Sequence, residues 1–340
     1  MQLDIRNIRK SFEGREVLHS LSFSVSSGRA MGFLGRNGAG KSTTFRCLMQ
    51  VFRQDSGEFL IDGAPLDPAR HRIGYLPEER GMYGKTTLAD QLEYFACLKG
   101  SRRKAARRDA LDWIHYFGLD DYANKRLETL SKGNQQKIQI AQAFLADPDI
   151  IVLDEPFSGL DPVNAQVFKE AIRHMVSLGK LVIFSSHQMA YVEEMCDDIT
   201  VIDRGHIMTS GPLEAIKASA GRGLYAIEAT PGAEDAIATA IAAAGREATR
   251  HGGLVLTPRD DAFLRSFVSE HFERIASAGD WRPSMQEIFI DLTGHDDAND
   301  GAGHDSDENP DDGATSTRTT ATRATSTRTT TSSPIERTAA

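Results

Sequence analysis

The sequence predicts an α/β fold built on a parallel sheet, on three observations. Gly35-Arg36-Asn37-Gly38-Ala39-Gly40-Lys41-Ser42-Thr43 fits the phosphate-loop pattern G-x-x-x-x-G-K-[ST] directly after the apolar run Ala30 to Leu34. Ile150 to Leu153 is a continuous apolar run ending in Asp154-Glu155-Pro156, as expected of a buried parallel strand with acids at its carboxyl end. Helix and strand patterns then alternate: a helix over Asn164 to Leu178, a strand over Leu181 to Phe184, a helix over Met189 to Cys196 and a strand over Ile199 to Asp203.

Taken in order, residues 1 to 28 alternate polar and apolar side chains (Leu3, Ile5, Ile8, then Val17, Leu18, Leu21, Phe23, Val25), which predicts antiparallel strands with Phe12 at a turn between them. In the loop that follows, the glycines at 35, 38 and 40 let the backbone approach a phosphate, and Lys41 adds a full charge. Ser42 offers a hydroxyl to Mg²⁺, and a helix through Phe45, Cys47, Leu48 and Met49 aims its positive end at the phosphates. Gly57 to Gly63 and Arg72 to Leu76 read as further strands, the second closed by Pro77. Leu88 to Leu98 and Ala105 to Phe117 have helical spacing. The basic cluster Arg102-Arg103-Lys104 and Arg107-Arg108 between them reads as a solvated helix face, with nucleic-acid contact as the alternative. Leu130-Ser131-Lys132-Gly133-Asn134-Gln135 leads into a helix through Ile138, Ile140, Ala143 and Phe144 that Asp147-Pro148 stops.

Beyond Gly211-Pro212 and a short helix the composition shifts towards Ala and Gly. Strands at 224–228, 254–256 and 288–292, with helices at 235–244 and 262–271, predict a small α+β accessory domain. The organisation expected is therefore a main domain over 1–215 with a helical subdomain at about 85–145, an accessory domain over 222–294, and a disordered tail over 295–340. The tail is acidic first and then rich in Thr, Ser and Arg, with Thr-Ser-Thr-Arg-Thr-Thr at both 315 and 325. It reads as an inert solvating segment, or alternatively as a phosphorylated regulatory one.

Composition removes several function classes. The net charge is −9 over 340 residues, and the nine acids and four arginines from Asp296 onward contribute −5 of it. That balance argues against nucleic acid as the main partner, since a phosphate-tracking protein usually shows a basic face. The alanine-rich stretch Ala236 to Ala244 falls far short of the roughly 20 apolar residues a spanning helix needs. Charges within Met1 to Arg6 disfavour a secretory signal, so a cytoplasmic protein is expected. Cys47, Cys97 and Cys196 show no pairing or metal-ligand spacing and read as small buried residues.

Phosphoryl transfer is mostly positioning and charge stabilisation, so a phosphate loop needs partners. Asp154, at the end of a strand beside the loop strand, can hold Mg²⁺ through water, and Glu155 can polarise the attacking water. Two acids before a proline also suit a plain helix start. His187 follows its strand by way of Ser185-Ser186 and falls at the same sheet edge, within reach of a γ-phosphate.

Over about residues 1 to 215 this order of motifs resembles the ATP-binding subunit of an ABC transporter. Gly35 to Thr43 is similar to the family's Walker A loop, Ile150 to Glu155 to its Walker B strand, and Leu130 to Gln135 to its signature motif. Ser158-Gly159-Leu160-Asp161 is similar to its D-loop, and His187 to its switch histidine. The resemblance implies ATP and Mg²⁺ as ligands, held through Gly35, Asn37, Gly38, Ala39, Gly40, Lys41, Ser42 and Thr43, with Phe12 stacking on adenine. Ser42, Asp154 and Glu78 would face the metal; Glu155, His187 and Lys41 would act on the γ-phosphate. Ser131, Gly133 and Asp161 would close over the nucleotide of a second subunit, which implies a dimer, with a homodimer expected. A separate membrane permease would dock on the helical segment between Leu88 and Phe117 and hold the protein at the inner face of the membrane.

Three positions depart from the common pattern. Lys132 and Asn134 replace residues of Leu-Ser-Gly-Gly-Gln, and Glu78 stands where the Q-loop glutamine is usual. These variants, the run Gly74 to Tyr83 and the ending Ser284 to Thr293 resemble the export-type subgroup of sodium- and drug-efflux (Nat-type, ABC-2) ATPases. The competing expectation is a soluble, non-transport ABC ATPase acting on ribosomes or DNA. One cassette per chain and no sustained heptad run speak against it.

Overall fold

The structure, a computed structural model, describes residues 1–78 and 81–294; the expected tail over 295–340 lies outside the described residues. The chain opens with β1 (Gln2–Phe12) and β2 (Arg15–Ser26), an antiparallel hairpin turned at Glu13 and Gly14 with φ of 50° and 82°. Positive φ at both central residues matches the twist of the flanking strands. β3 (Ala30–Leu34) is buried along its whole length and feeds α1 (Lys41–Leu48). β4 (Ser56–Ile61), β5 (Ala64–Pro65) and β6 (Ile73–Leu76) follow.

Next come α2 (Leu88–Leu98), α3 (Arg103–Tyr116) and α4 (Lys132–Phe144). Their inward residues recur at helical spacing: Leu88, Leu92 and Ala96; Ala106, Ala110 and Ile114; Ile138, Ala141 and Phe144. Lys99, just past α2, turns its Nζ onto the last turn of α4, donating to the Gln142 and Ala143 carbonyls at 2.7 and 3.2 Å. Burial pushes this ammonium down to about 8. The unfolded chain keeps that proton up to about pH 10.4 and so binds more protons between those limits, and stability rises with pH there. The melting temperature of the native protein relative to Lys99→Met is therefore expected to climb from pH 8 to pH 10, and a flat difference would refute this.

β7 (Ile150–Leu153), α5 (Pro162–Ser177), β8 (Leu181–Ser186), α6 (Met189–Met195), β9 (Asp198–Asp203) and β10 (His206–Pro212) complete the alternation. Two sheets result, ordered β2-β1-β4-β5 and β10-β9-β3-β8-β7-β6. The first is antiparallel; the second is parallel apart from β10, which returns antiparallel to β9. Apolar layers cover the parallel strands on both faces, which is why β7 and β8 read as continuous apolar runs. Ile5, Phe33, Phe45, Ile150 and Ile183 share one layer; Leu34, Leu153, Phe168 and Phe184 share the other with the helical segment.

α7 (Leu213–Ala220) leads to β11 (Leu224–Ala229), α8 (Glu234–Ala243), β12 (Thr249–His251), β13 (Leu254–Pro258), α9 (Asp261–Glu270), β14 (Ile275–Asp280) and α10 (Met285–Thr293). The strands form an antiparallel sheet in the order β12-β13-β11-β14, a β-α-β-β-α-β arrangement. Its own core joins Ile227, Ala229 and Val255 of the sheet to Ile237, Ile241 and Phe267 of the two helices.

The strand expected at 288–292 is instead the helix α10, and the sheet's fourth strand is β14. Ser284 and Glu287 form a reciprocal capping box: the Glu287 amide donates to Ser284 Oγ, and the Ser284 amide donates to Glu287 Oε2 at 2.6 Å. Met285 and Ile288 are buried one helical turn apart, in the same cluster as Val192, Met195 and Leu213. The last helix thus packs on the apolar cluster shared with α6 and α7, and it meets the small sheet through the Glu287–His251 ion pair. A short apolar run fits either period, and the cap decides it. β14 reads Ile-Ala-Ser-Ala-Gly-Asp, with little strand propensity, and is held by its register on β11. Among the described residues no helix is long and apolar enough to cross a membrane.

Candidate functional site

β3, β8 and β7 are neighbours in the parallel sheet, so everything that follows them emerges at one carboxyl edge. From β3 comes the loop Gly35 to Thr43. A Cβ on Gly35 would stand 2.5 Å from the Ile202 carbonyl oxygen, and Gly40 holds φ at 108° to cap α1. The Gly35→Ala variant is expected to lose about 1–3 kcal/mol of stability through this overpacking, read as a drop in thermal midpoint. No side chain caps α1 and its first turn holds no acid, which leaves the helix amides to an external anion. Lys41 is 7% exposed, and its Nζ donates to the Gly35 and Arg36 carbonyls at 2.7 and 3.3 Å, curling the loop around the cation.

From β7 come the two acids. Asp154 is 1% exposed, and its amide donates to the Leu76 carbonyl at the end of β6. Glu155 has φ of 50°, a left-handed kink that turns its carboxylate back towards the loop. Its Oε1 lies 3.7 Å from Lys41 Nζ, and its Oε2 lies 2.8 Å from His187 Nδ1 at the end of β8. Burial, and then the nearby Asp154 carboxylate, push the Tyr75 hydroxyl above its ordinary range.

Between loop and acids lies a cavity of about 360 Å³, lined by Val17, Arg36, Asn37, Gly38, Gly40, Lys41, Ser42, Thr43, Glu78, Asp154 and Glu155. Of the residues singled out in the sequence, Asn37 to Thr43 (Ala39 excepted), Glu78, Asp154 and Glu155 meet there, and His187 joins through Glu155. Ala39 is buried behind the loop, its amide donating to the Arg36 carbonyl. Phe12, at the end of β1, packs edge-on against Phe52 with centroids 5.2 Å apart and does not line the cavity.

Ser131, Gly133 and Asp161 do not line it either. Ser131 caps α4, its Oγ accepting from the Asn134 amide, and Asp161 caps α5. A Cβ on Gly133 would stand 2.3 Å from Asn164 Nδ2, and that same amide donates to Asp161 Oδ2 at 2.6 Å. Bonds from Asn164 hold the Asp161 carboxyl below its ordinary range. The three form a separate surface cluster. Val17, Arg36 and Ser185 were not assigned to the site from the sequence: Val17 read as a strand residue, Arg36 fills an unspecified position of the loop pattern, and Ser185 read only as a spacer before His187.

The donors facing the cavity are hard oxygens: the Ser42 hydroxyl and the Asp154 and Glu78 carboxylates. That set fits Mg²⁺, which takes one or two carboxylates and completes its shell with phosphate oxygens and water. Among the described residues no group of three or more His, Cys, Asp or Glu could hold a metal ion by protein ligands alone. Burial pushes the Cys47 thiol up to about 11, so it is inert at neutral pH.

Residues 18–158 match the family model described as ABC transporter. The chain is 42% identical over 221 residues to the uncharacterized ABC transporter ATP-binding protein YhaQ of Bacillus subtilis, covering 65% of this chain and 74% of that protein. It is 36% identical over 206 residues to the ABC transporter ATP-binding protein NatA of the same organism, covering 59% of this chain and 84% of NatA. A solved structure described as the ATP binding subunit of an ABC transporter superposes with a TM-score of 0.59 at 28% identity, over 65% of this chain and 94% of that one. The phosphate loop, the paired acids and these relationships together place the chain in the ABC transporter family, as an ATP-binding subunit that hydrolyses ATP.

Proposed function

We propose that ATP binds with its phosphates against Lys41 and the α1 amides, and that Glu155 is the base which activates the attacking water. The observation that carries this is the position of Glu155, held between Lys41 at 3.7 Å and His187 at 2.8 Å beside the phosphate loop. His187 orients that carboxylate and reaches towards the γ-phosphate. Ser42, Asp154 and Glu78 hold Mg²⁺, which when bound neutralises phosphate charge. Phe12 stacks on adenine. The main domain over 1–215, with its helical subdomain at about 85–145, carries this chemistry, and the lobe over 222–294, whose last helix α10 packs back on α6 and α7, is an accessory to it.

Ser131, Gly133 and Asp161 sit at helix starts on the surface, outside the cavity, so they serve a nucleotide held by another copy. The working unit is then a homodimer with ATP sandwiched between copies. In analytical ultracentrifugation the Glu155→Gln chain should be a dimer with MgATP and a monomer with ADP. Adding Ser131→Arg should abolish the dimer while each monomer still binds ATP; a monomer under all conditions would overturn the sandwich.

A membrane permease docks on the helical side. Tyr83, Tyr94 and Leu98 are 57%, 51% and 65% exposed, and Phe95 contacts both tyrosine rings. Leu98 also lines a groove with Met49, His71 and Lys99. An apolar patch of this kind suits a protein partner. Docking there holds the protein at the cytoplasmic face of the membrane. Export is the direction, on the resemblance to the Nat-type subgroup.

A further inference from the structure

β8 ends at the site with Ser185, whose hydroxyl stands between the two acids. Ser185 is fully buried, and its Oγ donates to Asp154 Oδ1 and accepts the Glu155 N–H, both at 2.7 Å. A serine hydroxyl has a single proton. Because the Glu155 amide must be the donor, that proton goes to Asp154 and the direction of both bonds is fixed.

Two consequences follow for the site. The bond to Oδ1 fixes the rotation of the Asp154 carboxylate, which is 1% exposed. The bond from the Glu155 amide holds a glutamate in the left-handed region, at φ of 50°, a conformation that costs energy and persists only where its surroundings enforce it. That kink aims the Glu155 carboxylate at His187. The neighbouring Ser186 faces elsewhere, its Oγ accepting the Gln188 amide at 3.0 Å in the turn that leads to α6.

We propose that Ser185 is a positioning residue that sets Asp154 and Glu155 relative to one another, so that the metal and the attacking water are held in register. The inference rests on the roles given above to those two acids. Ser185 does not line the cavity, so it acts through them.

The test compares Ser185→Ala, Ser185→Thr and Ser185→Cys in the full chain. Three quantities are read: kcat for ATP, ATP affinity in EDTA, and Mn²⁺ affinity in the ATP complex by electron paramagnetic resonance. Removing a group that orients a metal ligand typically costs about 10–100-fold in activity or metal affinity. Alanine is therefore expected to lower kcat by about 10-fold or more and to weaken Mn²⁺ measurably, with metal-free ATP affinity within about twofold. Threonine keeps the hydroxyl and should recover most of the loss. If alanine fails to fold, cysteine, close in size but a weak donor, carries the same expectation.

Unchanged kcat and Mn²⁺ affinity in the alanine variant would overturn the proposal. So would metal-free ATP affinity falling in step with kcat, the mark of a merely structural residue, or a folded threonine variant no better than alanine. Normal hydrolysis by Glu155→Gln would instead remove the underlying reading of the base. An inactive Glu155→Gln beside a fully active Ser185→Ala would sink this inference alone.

Discussion

Replacing Glu155 by glutamine is expected to lower kcat for ATP by about 10²–10⁴-fold, the usual contribution of a positioned general base, while ATP remains bound. The substitution keeps the size and planarity of the side chain and removes its basicity. Glutamine can still approach His187 Nδ1, now 2.8 Å from Glu155 Oε2, so the geometry of the pocket survives. Removing the negative charge beside Lys41 also frees that cation to interact with phosphate, so ATP affinity should hold or rise. Single-turnover hydrolysis measured alongside nucleotide retention checks both halves. Hydrolysis within a few fold of the native rate would mean that another group activates water.

Lys41→Ala acts on the other side of the same step. Its Nζ is buried and bonded to the Gly35 and Arg36 carbonyls, so the side chain both shapes the loop and carries its charge. A hydrogen bond to a charged group contributes about 1.5–3 kcal/mol, and losing two of them to phosphate oxygens should weaken ATP binding by about 10²-fold or more. The Gly35 and Arg36 carbonyls also lose their donor, which loosens the loop. Equilibrium binding of a fluorescent ATP analogue measures the loss. Native affinity in this variant would contradict the placing of the phosphates against Lys41. The two substitutions separate binding from chemistry: glutamine at 155 should keep ATP and fail to cleave it, and alanine at 41 should fail to keep it.

Much of the fold was legible because local pattern and tertiary role agree. The continuous apolar runs at Ala30 to Leu34, Ile150 to Leu153 and Leu181 to Phe184 can be buried on both faces only as interior parallel strands, and their order puts Lys41, Asp154 and His187 at one edge. Where local pattern is ambiguous, the reading failed. Ile288 to Leu292 fits strand or helix, and the Ser284–Glu287 cap together with the apolar cluster that Met285 and Ile288 share with α6 and α7 made it a helix. β14 has almost no apolar signal, and only its pairing with β11 defines it.

The candidate site divides the same way. Its residue types and their order are legible in the chain alone, because the glycines, Lys41 and Ser42 lie in one contiguous stretch whose chemistry needs no distant partner. Which of the residues meet is a matter of packing. Folding brings Glu78 from the end of β6 and Val17 from β2 to the cavity, leaves Phe12, Gly35, Ala39, Ser131, Gly133 and Asp161 outside its lining, and sets Ser185 between the two acids. The physical reason is range. Hydrophobic period and turn chemistry act over a few residues, whereas a hydrogen bond from residue 185 to residue 154 exists only once two strands far apart in the chain lie side by side.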